Sequence, residues 1–318
     1  MYGLADDGRK NVVGVKQYPV LSSQFSVRIA DKYDSEDCLG VLRTENRVLR
    51  TYKMTSSKET LQRIHAALEA GREVLNRFTP GAIEAQYKAG HDPVTEADRA
   101  VDALLKKHLL RDGEGWLSEE TTDDPSRLDK ACVWVVDPLD GTREFVQGIP
   151  EFCISIAMVE NGVPVAGGIC NPATDELILG SREAGVTYNG VSVRPSQRRN
   201  LHGASVLASR SEVKRGEWKQ FESAELDIRP MGSVAYKLGL VAAGRADITF
   251  TLVPKHEWDV AAGAALVLGG GGFVQTLEHT DLKCNQKNPL ITGLIACGPH
   301  LGAELMARLS GHLNPVER

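Results

Sequence analysis

The stretch Val133-Trp134-Val135-Val136-Asp137-Pro138-Leu139-Asp140-Gly141-Thr142 decides the reading of this chain. Its apolar lead, Cys132 to Val136, has the unbroken hydrophobicity of a buried strand. The strand ends in two carboxylates three positions apart, with Pro138 fixing the backbone between them. Acids this close at the end of a buried strand repel one another and lose hydration, and a divalent cation is the usual remedy. Gly141 permits close backbone approach to a ligand, and Thr142 can open a helix whose free N–H groups face an anion. Cation and anion together point to phosphate chemistry. By itself the stretch also fits a strand followed by an Asp-rich turn, with Asp140-Gly141 as ordinary turn chemistry.

A chain of 318 residues can bury a large core, as one domain or two lobes. The net charge of -5 argues against a surface for a nucleic-acid polymer, whereas a small phosphorylated ligand needs only a local basic pocket. No apolar run is long enough to span a bilayer, and the N-terminus lacks a secretory pattern. The six cysteines are scattered without metal-ligand spacing, which predicts reduced thiols in a cytoplasmic protein.

Residues 1–53 show no sustained period and read as an N-terminal extension, disordered or peripheral. Short strands are conceivable at Val20-Leu21 and Phe25–Ile29. Ser56 and Glu59 have capping-box spacing, so the working part of the chain is expected to begin near Met54. Residues 54–318 then form a single domain with an antiparallel half, 54–195, and an α/β half, 196–318. Leu61, Ile64, Ala67, Leu68, Val74, Leu75 and Phe78 recur at helical spacing and predict a helix over 57–78. Thr95 and Asp98 resemble a helix N-terminus, with Val101, Leu104, Leu105 and Leu109 as its buried stripe. There Asp98 could simply suit the helix dipole. Glu119-Glu120 closes a short apolar segment and alone reads as a solvated loop.

Strands are predicted at Phe152–Val159, Val163–Cys170 and Glu176–Gly180, with a hairpin turn at Asn189-Gly190. After residue 196 helix and strand alternate, with strands at Ala204–Ala208, near Leu226–Arg229, at Ala246–Val253 and at Leu290–Ala296. The intervening helices lie after Ser211, over 232–243, over 257–268 and at Leu301–Leu309.

The acids of interest all sit at junctions: Asp98 and Asp259 at helix starts, Glu119, Asp137 and Asp140 after strands. Oxygen ligands without a histidine cluster or paired cysteines favour Mg²⁺ over zinc. No residue stands in a pattern typical of a covalent nucleophile, so direct attack by water fits better.

Four ordered signatures make the chain similar to a known superfamily. They are Asp92-Pro93-Val94-Thr95-Glu96-Ala97-Asp98, Ser118-Glu119-Glu120, Trp134 to Thr142, and Trp258-Asp259-Val260-Ala261-Ala262-Gly263. The chain resembles, over about residues 57–312, the lithium-sensitive, Mg²⁺-dependent phosphatases that include inositol monophosphatase, fructose-1,6-bisphosphatase and 3'(2'),5'-bisphosphate nucleotidase. The resemblance implies an α+β fold, an α-β-α-β-α layered sandwich. It implies that Glu119, Asp137, the Leu139 carbonyl, Asp140 and Asp259 hold two or three Mg²⁺ ions. Asp98 and Thr142 would position and activate water, with Glu119 in the catalytic set, and Li⁺ would inhibit. Leu139, Asp140, Gly141, Thr142 and Asp259 would also face the substrate.

Within that superfamily, Asp140-Gly141-Thr142-Arg143-Glu144-Phe145 looks like the bacterial bisphosphate nucleotidase version, and Ser209-Arg210-Ser211, Lys237 and Glu257 lean the same way. A second phosphate needs cations beyond the metals, which makes Ser209, Arg210 and Lys237 candidate substrate residues. The leading expectation is hydrolysis of adenosine 3',5'-bisphosphate to AMP and phosphate. An inositol-1-phosphate or other sugar-phosphate monoesterase is the alternative, and a non-catalytic binding relative the third. Val253-Pro254-Lys255-His256 is more basic than the nucleotidase pattern. The sequence is silent on oligomeric state.

Overall fold

Backbone contacts divide the chain into two units, Met1–Ser56 and Ser57–Arg318. The computed structural model describes residues 39–44, 47–53, 56–87 and 93–313. In the first unit β1 (Leu39–Thr44) pairs antiparallel with β2 (Arg47–Lys53). The strands expected at Val20-Leu21 and Phe25–Ile29, the start expected at Met54, and Asp92 of the first signature lie outside the described residues.

The second unit begins with α1 (Ser57–Leu75), a hairpin of β3 (Gln86–Tyr87) and β4 (Pro93–Val94), and α2 (Glu96–Leu109). Helix α1 stops three residues before the predicted end, because the backbone N–H of Phe78 already turns back to Leu75 O. Then follow β5 (Gly115–Ser118), a 3-10 turn at Pro125–Asp129, β6 (Cys132–Asp140) and α3 (Thr142–Gln147). The sheet is continued by β7 (Cys153–Glu160), β8 (Val163–Asn171), β9 (Glu176–Ser181), β10 (Gly185–Tyr188) and β11 (Val191–Val193). These seven strands lie in the order β11-β10-β9-β8-β7-β6-β5. All neighbours are antiparallel except β5 and β6, which are parallel.

The remaining elements are β12 (Ser205–Ser209), α4 (Arg210–Arg215), β13 (Asp227–Met231), α5 (Val234–Ala242), β14 (Ile248–Thr251), β15 (Lys255–His256) and α6 (Glu257–Gly269). They close with β16 (Phe273–Thr276), β17 (Leu290–Ile291), β18 (Leu294–Cys297) and α7 (Gly302–Leu313). A second sheet has the order β13-β12-β14-β18-β16. Strand β16 was not anticipated, and the strand predicted over Leu290–Ala296 is split at Thr292-Gly293, its two pieces joining different sheets.

Three cores account for the layering. The side chains of α1 and α2 bury with Trp134, Val136, Ile154 and Ile156 on one face of the large sheet. On its other face Val133, Val135 and Ala157 meet α5, α6 and the inner face of the second sheet. Trp218, Phe250, Ile295 and Leu305 fill the third core, under α7. The result is the α-β-α-β-α sandwich, α+β in class. Strand β6 is apolar from Cys132 to Val136 because alternate residues feed cores on opposite faces. Two glycines of β8 permit the close fit: a Cβ on Gly167 would lie 2.5 Å from Ala262 O of α6, and one on Gly168 2.4 Å from Ile64 Cγ2 of α1.

Candidate metal centre

The acidic turn is part of β6 rather than a loop after it. The register of β6 against β7 runs from Asp137↔Ser155 to Asp140↔Cys153, so three steps on one strand match two on the other. This is a β-bulge at Pro138-Leu139. Residues three apart on a regular strand point to opposite faces; the extra residue brings Asp137 and Asp140 to the same one. Pro138, lacking an N–H, suits a position that gives up a ladder bond.

Parallel pairing of β5 with β6 sets Ser118 opposite Val136. Glu119, next in the chain, therefore emerges beside Asp137, and its N–H reaches Val136 O at 3.4 Å. Asp259 arrives from the first turn of α6, where one carboxylate oxygen caps the helix by accepting from His256 N at 2.9 Å. One oxygen from each of Glu119, Asp137 and Asp259 lies within 4.8 Å of the others.

Asp137 Oδ1 accepts from Leu139 N at 3.0 Å, whereas its buried Oδ2 has no hydrogen-bond partner among the described residues. Burial pushes the Asp137 carboxyl well above its usual range, and repulsion from Glu119, Asp140 and Asp259 adds to it. Asp259 is raised in the same way, by burial and by Asp140 and Glu119, with Lys255 opposing. A buried oxygen without a donor, among acids that resist ionising, is the environment a hard cation stabilises.

Asp140 is served differently. Its Oδ2 accepts from Ser233 Oγ at 2.7 Å and from Ala235 N at 2.5 Å, at the start of α5. Burial raises the Asp140 pKa, and these two bonds, with Lys237 and Lys255, work against the rise. Ser233 holds a positive φ of 51°, a strained conformation for a non-glycine residue, and its Oγ also accepts from Tyr236 N at 3.0 Å. Helix α5 is tied to the large sheet through Tyr236, whose hydroxyl donates to Glu176, as does that of Tyr188.

Asp98 caps α2 with one carboxylate oxygen and meets Thr142 with the other. Its Oδ2 accepts from Thr95 N at 2.7 Å and Thr95 Oγ1 at 2.6 Å, half of a capping box for α2. Its Oδ1 faces Thr142, whose hydroxyl is 2.9 Å both from that oxygen and from the Leu139 carbonyl oxygen. Burial raises the Asp98 pKa more than the Thr95 and Thr142 bonds lower it. Gly141, just before Thr142, has φ 96°, and a Cβ there would lie 2.7 Å from Glu151 O. Only glycine fits that corner.

The three candidate residues for a second phosphate, Ser209, Arg210 and Lys237, each contact other groups of the protein. Arg210 forks onto Glu151, with Nη2 2.5 and 2.6 Å from the two carboxylate oxygens, and Glu151 also accepts from Gly232 N at 2.6 Å. Lys237 is buried, its Nζ donating to Met231 O at 3.3 Å, and burial lowers its pKa to about 8. Ser209 caps α4 and lines a small recess with Lys237, Thr251 and Lys255. Glu257 turns away from the acids and accepts from Asn285 N and Gln286 N at 2.6 and 2.8 Å. His256 stacks on Trp258, with ring centroids 4.3 Å apart. Sequence reasoning missed Ser233 and Ala235 as partners of Asp140; the Gly232-Ser233 helix start was visible, its target was not.

Carboxylates gathered at strand and helix ends of this layered sandwich define the class of proteins with a candidate site for a hard divalent cation. The family model for the inositol monophosphatase family matches residues 56–313, and the chain belongs to that family. It is 34% identical over 245 residues to the inositol-1-monophosphatase of Rhizobium meliloti (strain 1021), covering 74% of this chain and 89% of that protein. It is 31% identical over 263 residues to the Nus factor SuhB of Escherichia coli (strain K12), covering 79% and 95%. Of solved structures, the inositol monophosphatase from Anabaena (Nostoc) sp. PCC 7120 aligns with a TM-score of 0.67 at 27% identity, covering 82% of this chain and 99% of that one. The extragenic suppressor protein suhB from Bartonella henselae aligns with a TM-score of 0.67 at 31% identity, covering 80% and 98%. Among the described residues, no helix is long and apolar enough to cross a membrane.

Proposed function

We propose that this chain hydrolyses a phosphate monoester by water attack at a Mg²⁺ centre built on Glu119, Asp137 and Asp259, with Asp140 and the Leu139 carbonyl completing it. The observation that carries this is the buried Asp137 Oδ2, without a hydrogen-bond partner among the described residues and surrounded by acids that repel it. Mg²⁺ held there supplies charge that polarises a phosphoryl oxygen and makes a nearby water a better nucleophile. The chain's own part is to orient that water and take its proton. Asp98 Oδ1 is the acceptor, with a pKa raised toward the working range, and the Thr142 hydroxyl fixes its direction. Thr142 has one proton for two acceptors, so donation to Asp98 leaves the Leu139 carbonyl oxygen with lone pairs that would serve a bound cation.

The ion-free centre has a stability signature. The folded pKa values of Asp137 and Asp259 lie above the unfolded value of 3.8, so their contribution to stability is present below that value and lost as pH rises through the folded ones. At neutral pH the bare cluster opposes folding, and Mg²⁺ offsets it. Saturating Mg²⁺, at about 100 times its Kd, is expected to stabilise the protein by about 2.7 kcal/mol, or roughly 5–10 °C in Tm. The gain should be larger near pH 7.5 than near pH 5, where protons compete for the same oxygens. Thermal melts with Mg²⁺ and with EDTA at both pH values check this; equal gains would count against the centre.

For the ester, the family's inositol-1-phosphate type fits better than a bisphosphate. Both cations suited to a second phosphate are engaged within the protein, Arg210 by Glu151 and Lys237 by Met231 O. The second reading, adenosine 3',5'-bisphosphate cleaved to AMP and phosphate, is supported by the segment Asp140–Phe145 and by Arg210, whose side chain is 39% exposed and could exchange Glu151 for a phosphate. Mg²⁺-dependent phosphate release from the two esters, with and without Li⁺, decides. We expect at least ~10-fold higher kcat/KM on inositol-1-phosphate, a difference of about 1.4 kcal/mol, with millimolar Li⁺ inhibiting. The reverse preference, with Arg210→Met raising KM for the nucleotide, would overturn the ester assignment and keep the centre. Mg²⁺ binding with no release from either ester would favour the non-catalytic binding relative.

A further inference from the structure

Helix α2 carries two acids one turn apart on its buried face, Asp98 and Asp102, at 1% and 8% exposure. Asp98 is absorbed by the reading above; Asp102 is not. A carboxylate on the apolar face of a helix is costly to bury unless hydrogen bonds satisfy it. Asp102 Oδ1 accepts from Ser118 Oγ at 2.5 Å, and Oδ2 accepts from Thr121 Oγ1 at 2.6 Å. These two donors bracket Glu119-Glu120.

The direction of both hydroxyl protons is set by further contacts. Thr121 Oγ1 accepts from Trp116 Nε1 at 3.3 Å, and Ser118 Oγ accepts from Glu120 N at 3.4 Å. Each oxygen therefore receives one hydrogen bond and gives its own proton to Asp102. Strand β5 ends at Ser118, and just beyond it the Glu119 N–H reaches Val136 O at 3.4 Å. Asp102 grips the loop on both sides of that point.

We propose that Asp102 is a positioning residue: through Ser118 and Thr121 it fixes the loop that presents Glu119 to Asp137 and Asp259. This rests on the reading of Glu119 as a cation ligand. One rigid turn of α2 then carries both the group that handles the water and the brace for a ligand. Partners of this kind are worth about 10–100-fold in metal affinity.

The test is Mg²⁺ titration calorimetry on Asp102→Asn, on the double variant Ser118→Ala/Thr121→Ala, and on Glu119→Gln, beside the wild type. It is paired with the Mg²⁺ dependence of turnover on whichever ester the wild type cleaves. The Asn amide nitrogen cannot accept, so one hydroxyl of the pair loses its partner. Asp102→Asn is expected to weaken Mg²⁺ binding about 10–100-fold, while kcat at saturating Mg²⁺ stays within about 3-fold. The double variant, which leaves Asp102 intact, should reproduce this split and decides the matter if Asp102→Asn does not fold. Wild-type Mg²⁺ affinity in the folded variants, with Glu119→Gln weakened, would overturn the role of Asp102 alone. A kcat loss at unchanged Mg²⁺ dependence would overturn it too. Unchanged Mg²⁺ binding in Glu119→Gln would overturn the centre and this proposal together.

Discussion

Asp137→Asn is expected to abolish Mg²⁺ binding and turnover while making the ion-free protein more stable. The two effects share one cause. Asp137 is buried, raised in pKa by burial and by three neighbouring acids, and has one oxygen without a partner among the described residues. An Asn keeps an oxygen for Leu139 N and turns an N–H donor toward the acids where Oδ2 had no bond to make. Loss of a ligand that helps neutralise phosphoryl charge is worth several kcal/mol, so turnover should fall by at least ~10³-fold. Removing a buried, repelled charge should raise Tm in EDTA by about 2–8 °C, for about 1–2 kcal/mol. Calorimetry with Mg²⁺ and a melt in EDTA measure both. Retained turnover would remove Asp137 from the centre; a lowered Tm in EDTA would mean that its charge already has a counterion in the protein.

The second large effect is expected at Asp98, and it separates proton transfer from ion binding. Asp98→Asn retains the helix cap, since the amide oxygen can still accept from Thr95; its N–H then meets the Thr142 oxygen, and Thr142 gives its proton to the Leu139 carbonyl. What it loses is the ability to take a proton. General-base catalysis contributes about 10²–10⁴-fold, so kcat should fall by that factor, with a much smaller loss of Mg²⁺ affinity because the Leu139 carbonyl then keeps the Thr142 proton. The variant should be as stable as the wild type, because burial already penalises the charged form of Asp98. A drop in Mg²⁺ affinity equal to the drop in kcat would make Asp98 a ligand instead, and unchanged kcat would move the base elsewhere.

Much of the fold could be read in advance because burial leaves a periodic trace. The stripe of α1 appears where Ile64, Ala67, Leu68 and Leu75 pack, and the unbroken run of β6 reflects cores on both of its faces. The split of the strand predicted over Leu290–Ala296 was not legible, since two short pieces joining different sheets leave one apolar run. Arg210 and Lys237 show the limit for charged side chains. Sequence marks them as cations, but Glu151, 59 positions away, decides where Arg210 points.

The sequence by itself determined the inventory: which acids stand at element ends, that their donors are hard oxygens, and that Pro138 and Gly141 shape the turn between Val136 and Thr142. Only the tertiary structure brought oxygens of Glu119, Asp137 and Asp259 within 4.8 Å of one another. The bulge at Pro138-Leu139 turns Asp137 and Asp140 to one face, and bulges depend on the partner strand's register, which Ser155 and Cys153 supply. The parallel pairing of β5 with β6, inside an otherwise antiparallel sheet, sets Glu119 beside Asp137. An antiparallel pair would have sent Glu119 to the opposite end of the sheet. Strand direction is a property of the crossover and of two strands together, so no local pattern in either one records it.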